Sequence, residues 1–263
     1  MIVSISSWRK AAHIFLNQGP RALLAQSNKV LRARTQHRAF AEIDKISESD
    51  LPIAQKFSLI YQKKLWLKGM PHLNEDRTLS GHGSTVESTT VLLENLQQFL
   101  SDKPAIKFFD APCGDFNWMR TFNFAADCAY IGGEIVPELV ASLQQRYGRA
   151  AGETASRQFI PFDLTSDDFP EADIWLCKDC MQHLSNEDIN RVIANFRRSK
   201  IKIALISNHS GVRINENIRT GQFRHVDLTL PPFNLPKPGQ ILLDSPSDSE
   251  PRFVGVWYRE DLT

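Results

Sequence analysis

The sequence predicts an α/β protein: a mostly parallel sheet with helices on both faces, closed by an antiparallel C-terminal hairpin. Three observations predict it. From Ile106 onward, five apolar runs of strand length alternate with segments of helical spacing, and strands that alternate with helices favour parallel pairing under crossover helices. The first three runs each end in a carboxylate, Asp110, Glu134 and Asp163. Near the C-terminus, runs at 240–243 and 253–258 flank a connection rich in Ser, Pro and Asp, the pattern of a hairpin. Together these make a seven-stranded sheet.

The elements follow in order. Residues 1–79 read as a basic helical extension and 80–263 as the sheet domain. Before Glu42 there are seven basic residues (Arg9, Lys10, Arg21, Lys29, Arg32, Arg34, Arg38) and no acid. Such a cationic segment suits a solvated helix, a transit peptide, or an arm resting on anionic lipid or on the protein's own acidic surface. Ser49 and Asp50 precede Phe57, Ile60, Tyr61 and Leu65 at helical spacing, with Gly69 and Pro71 as the stop. Residues 71–83 are polar and irregular. They end in Ser80-Gly81-His82-Gly83-Ser84, after which Ser84 and Glu87 form a capping box for a helix to about Leu100. A glycine-flanked turn feeding a helix start suits a carboxylate or phosphate, because free N–H groups and the positive dipole end meet there; Gly81 is its candidate residue.

The first strand spans 106–110, and a helical turn follows near 117–122. The second, 129–134, leads into a helix with Pro137 in its first turn and Gly148 at its stop. The third is 157–162 and the fourth 173–177. Ser185 and Asp188 then cap a helix bearing Ile189, Val192, Ile193 and Phe196, and the fifth strand is 201–207.

Composition narrows the function. With 31 Lys plus Arg against 30 Asp plus Glu, nothing in the net charge calls for nucleic acid as a partner. No window nears the roughly 18 uninterrupted apolar residues of a membrane span, so a cytoplasmic protein is expected, with peripheral membrane contact open only to the basic N-terminus. The four cysteines, Cys113, Cys128, Cys177 and Cys180, lie in or beside strands, where buried free thiols are expected. Cys177, Cys180 and His183 space like three zinc ligands, but no second Cys-x-x-Cys or His pair completes a fourfold set, so no metal is expected.

In an open α/β sheet, ligands bind outside the carboxyl ends of the strands, where acids accept hydrogen bonds from a ribose or an adenine. The order of strands and the run Phe109-Asp110-Ala111-Pro112-Cys113-Gly114-Asp115 resemble the class I S-adenosylmethionine-dependent methyltransferases, over about residues 80–263. The resemblance implies a Rossmann-like fold with S-adenosyl-L-methionine as cofactor. It places Asp110, Cys113, Gly114 and Asp115 under the methionine portion, Glu134 and the adjoining Ile135 at the ribose, and Asp163 with the Leu164 backbone at the adenine. The chain departs from the family's three-glycine loop: only Gly114 remains, with Pro112 at an expected glycine position. A methyltransferase and a non-catalytic domain of the same fold both remain open on that ground. The dinucleotide fingerprint G-x-G-x-x-G is absent after the first strand, which argues against hydride transfer.

By the same resemblance, Lys178-Asp179-Cys180-Met181-Gln182-His183 after the fourth strand faces the reaction centre. Asp179 stands between cofactor and acceptor. His183, and His209 just after the fifth strand, are candidate bases for an acceptor hydroxyl. Leu230-Pro231-Pro232-Phe233 lacks the polar first residue of an amine-methylating tetrapeptide and reads as a proline-stiffened wall. Trp118 and Met119 are candidates for an apolar wall. The long segment after strand five, where Asn215, Asn217, Arg219, Arg224 and Asp227 are interleaved with Phe223 and Phe233, is the expected substrate-recognition segment. The mixture of histidines, amides and arginines suits a small polar acceptor, hydroxylated or glycan-type. Neither the acceptor atom nor the oligomeric state can be read from the residues.

Overall fold

The computed structural model describes residues 5–68, 78–103, 105–150, 152, 155–244 and 252–262, the backbone alone for 5–24, 26 and 27. Most of the polar stretch expected at 71–83 and of the connection between the last two strands lies outside them. The first helix, α1, spans Ile5–Glu48 and α2 spans Ile53–Gln62; a 3-10 turn at Leu65–Leu67 follows. Ala39, Ile43 and Ile46 repeat at helical spacing along one side of α1 and are buried, as are Phe57 and Ile60 of α2 and Leu65.

The sheet has seven strands: β1 (Lys107–Asp110), β2 (Ala129–Glu134), β3 (Ser156–Pro161), β4 (Ile174–Cys177), β5 (Ile203–His209), β6 (Gln240–Leu243) and β7 (Arg252–Tyr258). Their order is β3-β2-β1-β4-β5-β7-β6. β1 to β5 pair in parallel, and β7 runs antiparallel to both β5 and β6. Three helices complete the layers: α3 (Val86–Leu100), α4 (Pro137–Tyr147) and α5 (Asn186–Arg198).

Side chains alternate between the two faces, as strand geometry requires. Phe108, Ile174, Leu176 and Leu205 join the core under α3 and α4. Phe109, Trp175, Cys177 and Ile206 join the other core, which also takes in α5 and the buried side chains of α1 and α2. The N-terminal helices therefore share a core with the sheet and lie on its α5 side.

Two local expectations change. The start of α3 is capped by Thr85, whose side chain accepts from Ser88 N, and not by the Ser84–Glu87 box. Ser84 is taken up in a 3-10 turn, His82–Ser84, leaving Thr85 as the residue with extended backbone at the helix entrance. β5 runs to His209 because the antiparallel ladder with β7 continues to the pair His209↔Arg252; that histidine belongs to the strand instead of following it. Capping of α5 by Ser185, which accepts from Asp188 N at 3.1 Å, and the start of α4 at Pro137 match the sequence reading.

Candidate active site

The chain reverses its direction of travel across the sheet between β1 and β4, each of which pairs with the other. Crevices at such switch points are where open α/β sheets bind ligands. A cavity of about 710 Å³ opens there. Asp110, Glu134 and Asp163 all line it. Register explains the convergence: Asp110 pairs with Gly132 and Glu134 with Pro161, so each acid sits about two residues further toward the carboxyl end than its predecessor.

The three acids have different surroundings. Asp110 is buried and its Oδ2 accepts from the Tyr130 hydroxyl at 2.6 Å. Burial raises its pKa to about 7, against the pull of that hydrogen bond. Glu134 is also buried. Its Oε1 accepts from the N–H groups of Ile135 and Val136 at 2.9 and 3.1 Å, and its Oε2 from Gly114 N at 3.1 Å. Burial outweighs these donors and raises it to about 7 as well. Asp163 is half-buried; its Oδ1 accepts from both the N–H and the hydroxyl of Thr165, at 2.8 and 2.7 Å. Ile135 and Leu164 join the same wall.

Between β1 and β2 the loop is packed tightly enough to need one glycine. Gly114 has φ +55, and a Cβ there would lie 2.7 Å from Ser80 Oγ. Cys113, buried beside it, has its thiol pKa pushed well up by burial. Asp115 departs from expectation: it does not line the cavity. Its carboxylate is used within the chain, accepting from the N–H groups of Leu79 and Asn117, while its own N–H donates to Ser80 Oγ at 3.1 Å. These bonds draw the 80–84 turn over the loop, and Ser80, Gly81 and Gly83 become cavity wall. Ser80 also bonds the Tyr61 hydroxyl at 2.9 Å, tying α2 to the same point.

After β4, Lys178 and Asp179 enter a compact charge cluster that sequence reasoning only half found. Asp179 Oδ2 lies 2.5 Å from Lys178 Nζ and 3.2 Å from Arg252 Nη1, and Arg252 Nε lies 2.5 Å from Asp244 Oδ2. Burial alone would raise Asp179, but the Lys178 and Arg252 charges reverse this and hold it well below the ordinary carboxylate range. Its Oδ1 is buried without a hydrogen-bond partner among the described residues. A Cβ on Gly83 would fall 2.3 Å from Asp179 Oδ2, so only glycine fits against the cluster. Lys178 was legible as the neighbour of Asp179. Arg252 and Asp244 were not, because only the β5–β7 register brings them here.

The two histidines separate. His183 lines the cavity with its Nδ1 2.9 Å from the Gln222 carbonyl oxygen. A carbonyl only accepts, so Nδ1 carries the proton and Nε2 the free lone pair. Burial lowers its pKa, so the ring is neutral near pH 7. His209 also lines the cavity, stacked on His225 at 4.6 Å, and burial takes it down to about 4.

The polar members of the expected recognition segment are turned to other work. Asn215, Asn217, Arg219, Arg224 and Asp227 do not line the cavity; they bind the chain itself. Asn215 Nδ2 donates to Asp227 O, Asn217 Oδ1 accepts from Asn186 N, and Arg219 donates to Glu48 O. Arg224 donates to Met181 O and Asn186 Oδ1, and Asp227 Oδ1 accepts from Asn208 Nδ2. A long irregular segment has backbone polar groups that need partners, and these side chains supply them. Its Ile218, Gly221, Gln222 and Phe223 face the cavity instead. Trp118 lines the cavity, whereas Met119 is core, and Phe233 of the Pro-Pro segment is core and not wall.

No family model matches the chain, and no curated protein does. Solved structures resemble it in fold. Magnesium protoporphyrin IX methyltransferase from Synechocystis PCC 6803 with bound SAM has a TM-score of 0.54 at 16% identity, covering 80% of this chain and 98% of that one. A SAM-dependent methyltransferase from Leishmania major has a TM-score of 0.53 at 12% identity, covering 81% and 86%. Human N-acetylserotonin methyltransferase in complex with SAM has 0.52 at 13% identity, covering 85% and 66%. The fold is that of the class I S-adenosylmethionine-dependent methyltransferases. Among the described residues, no helix is long and apolar enough to cross a membrane.

Proposed function

We propose that the protein is a methyltransferase that binds S-adenosyl-L-methionine in this cavity and methylates a small hydroxylated acceptor. The observation that carries the reading is the convergence of Asp110, Glu134 and Asp163 on one cavity at the switch point. The wall also fits the cofactor chemically. Glu134 and Asp163 are acceptors suited to ribose hydroxyls and an adenine amine, with the Leu164 backbone beside them. An α-amino acid portion, one ammonium and one carboxylate, matches a wall where Asp179 Oδ2 lies against Lys178 and Arg252 and Asp179 Oδ1 has no hydrogen-bond partner among the described residues. The Gly81–Ser84 turn and the Cys113–Gly114 backbone close that end. When bound, the cofactor supplies a methyl group on a sulfonium, whose sulfur keeps the bonding electron pair as the methyl passes to the acceptor oxygen.

The chain's own part is to align, dry and deprotonate. Displacement at a methyl group is governed by alignment, and α1 and α2 roof the cavity with Ala39, Ile43 and Phe57. His183 Nε2 takes the hydroxyl proton, its orientation held by the Gln222 carbonyl. A base with pKa near 4 is too weak for that task at neutral pH, so His209 is assigned to the wall. Of the histidines, amides and arginines on which the sequence expectation of a hydroxylated or glycan-type acceptor rested, His183 and His209 line the cavity, while Asn215, Arg219 and Arg224 donate within the fold.

Glu134 makes the reading testable through pH. With its pKa raised to about 7, the carboxyl must lose a proton to accept from two hydroxyls. Affinity is therefore expected to rise with pH up to about 7 and then level, by roughly tenfold between pH 6 and 8 for one proton released. Calorimetric titration with S-adenosylhomocysteine across that range checks it. Affinity that is flat, or that grows toward acid, counts against Glu134 as the ribose acceptor.

A further inference from the structure

One part of the cavity, lined by aromatic rings, has a different chemistry from the strand-end acids. It lies between α1, α2, the Leu65–Leu67 turn and the segment around Phe223, and its walls include Phe40, Ile43, Phe57, Trp66 and Phe223. Four rings form a ladder across it: Phe57 and Trp66 have centroids 6.2 Å apart, Trp66 and His183 5.6 Å, and His183 and Phe223 5.6 Å. Two of the wall residues are large apolar side chains left exposed, Phe40 at 46% and Phe223 at 50%. They belong to separate elements yet line the same cavity, and an apolar ligand seated there would cover both.

The Gln222 amide beside these rings is used within the chain. Gln222 donates through Nε2 to Asp44 Oδ1 at 2.8 Å, and its Oε1 accepts from Arg219 N at 2.9 Å. Its carbonyl holds His183. A sugar, which carries a hydroxyl on nearly every carbon, would meet rings here and leave its own donors and acceptors unpaired, which is costly. A flat ring would meet the offset and tilted aromatic faces that such rings prefer. Ligand pockets run from about 300 to 1,000 Å³, so 710 Å³ admits such a ring beside a nucleoside.

We infer that the acceptor is a planar hydroxyarene whose ring lies among Trp66, His183 and Phe223, with its hydroxyl presented to His183 Nε2. This rests on the methyltransferase reading and narrows its acceptor. In the transfer, the acceptor's O–H bond breaks and its proton goes to Nε2, the new O–CH3 bond forms from the oxygen's electron pair, and the S–CH3 bond breaks with its pair left on sulfur.

The test is calorimetric, on the full chain, with S-adenosylhomocysteine titrated first and then 2-naphthol or methyl glucoside added to the saturated protein. Expected are saturable one-to-one binding of 2-naphthol and none of methyl glucoside. Phe223→Ala, at a half-exposed position where folding is not at stake, should weaken 2-naphthol by about three- to tenfold, and Phe223→Tyr, which keeps the ring, should retain it. Binding of methyl glucoside without 2-naphthol, heats that never saturate, or a Phe223→Ala variant that binds 2-naphthol unchanged would each overturn the inference. A chain that takes up S-adenosylhomocysteine but ignores 2-naphthol loses the hydroxyarene alone. A chain that takes up neither loses the methyltransferase reading as well.

Discussion

Replacing Glu134 with alanine is expected to weaken S-adenosylhomocysteine binding by roughly a hundredfold or more. Two hydrogen bonds to an ionised acceptor contribute about 1.5–3 kcal/mol each, and every 1.4 kcal/mol is tenfold in affinity. The loss has a second source within the chain. Glu134 also holds the N–H groups of Gly114, Ile135 and Val136, so alanine leaves three backbone donors to find other partners and frees the loop that carries Cys113 and Gly114. Glu134→Gln separates the two contributions, since it keeps an acceptor oxygen and the shape but gives up the charge. It is expected to bind more weakly than the natural chain and more tightly than alanine, with a melting temperature nearer the natural one. Calorimetry with thermal unfolding of all three proteins reads both effects. Equal affinity in all three would remove Glu134 from the site.

Replacing His183 with alanine is expected to lower kcat by about 10²- to 10⁴-fold, the usual contribution of a positioned general base, while leaving S-adenosylhomocysteine affinity nearly unchanged. The pH profile gives the sharper reading. Burial lowers the imidazole pKa from its ordinary value of 6.5, so the base stays neutral below that value. With S-adenosyl-L-methionine held saturating, so that protonation of Glu134 does not limit the rate, kcat should fall as pH drops through the lowered folded value. In the alanine variant this acid limb should vanish. The measurement is initial-rate formation of S-adenosylhomocysteine with 2-naphthol over a pH series. A variant with undiminished kcat, or one that keeps the acid limb, would move the base elsewhere.

Much of this site was visible in the chain because it sits where periodicity changes. Asp110 and Glu134 end their strands and Asp163 follows β3 closely, and a strand end is legible where an apolar run meets an acid. Pro137 and Ser185 mark helix starts through local chemistry that needs no tertiary information. Thr85 shows the limit of that logic, since three consecutive residues can cap and the choice depends on which one the preceding turn leaves extended. The quartet of Lys178, Asp179, Asp244 and Arg252 depends on the antiparallel register of β7, whose partner in β5 lies far back in the sequence. Asn215 and Arg224 looked like ligand contacts because a polar side chain reads the same whether it serves a substrate or an unpaired carbonyl of its own loop. Phe223 was legible as part of the recognition segment, but its link to Trp66 through His183 was not, because the three are far apart in sequence.

The central claim is that the strand-end acids and the 80–84 turn enclose one nucleoside-bearing cofactor. A crystal structure of the chain grown with S-adenosylhomocysteine tests it most directly. Density is expected in the switch-point cavity with the ribose on Glu134, the adenine beside Asp163 and Leu164, and the amino acid portion against Asp179 and the Gly81–Ser84 turn. Nucleoside density elsewhere on the molecule, or a cavity that stays free of it at saturating ligand, would contradict the account.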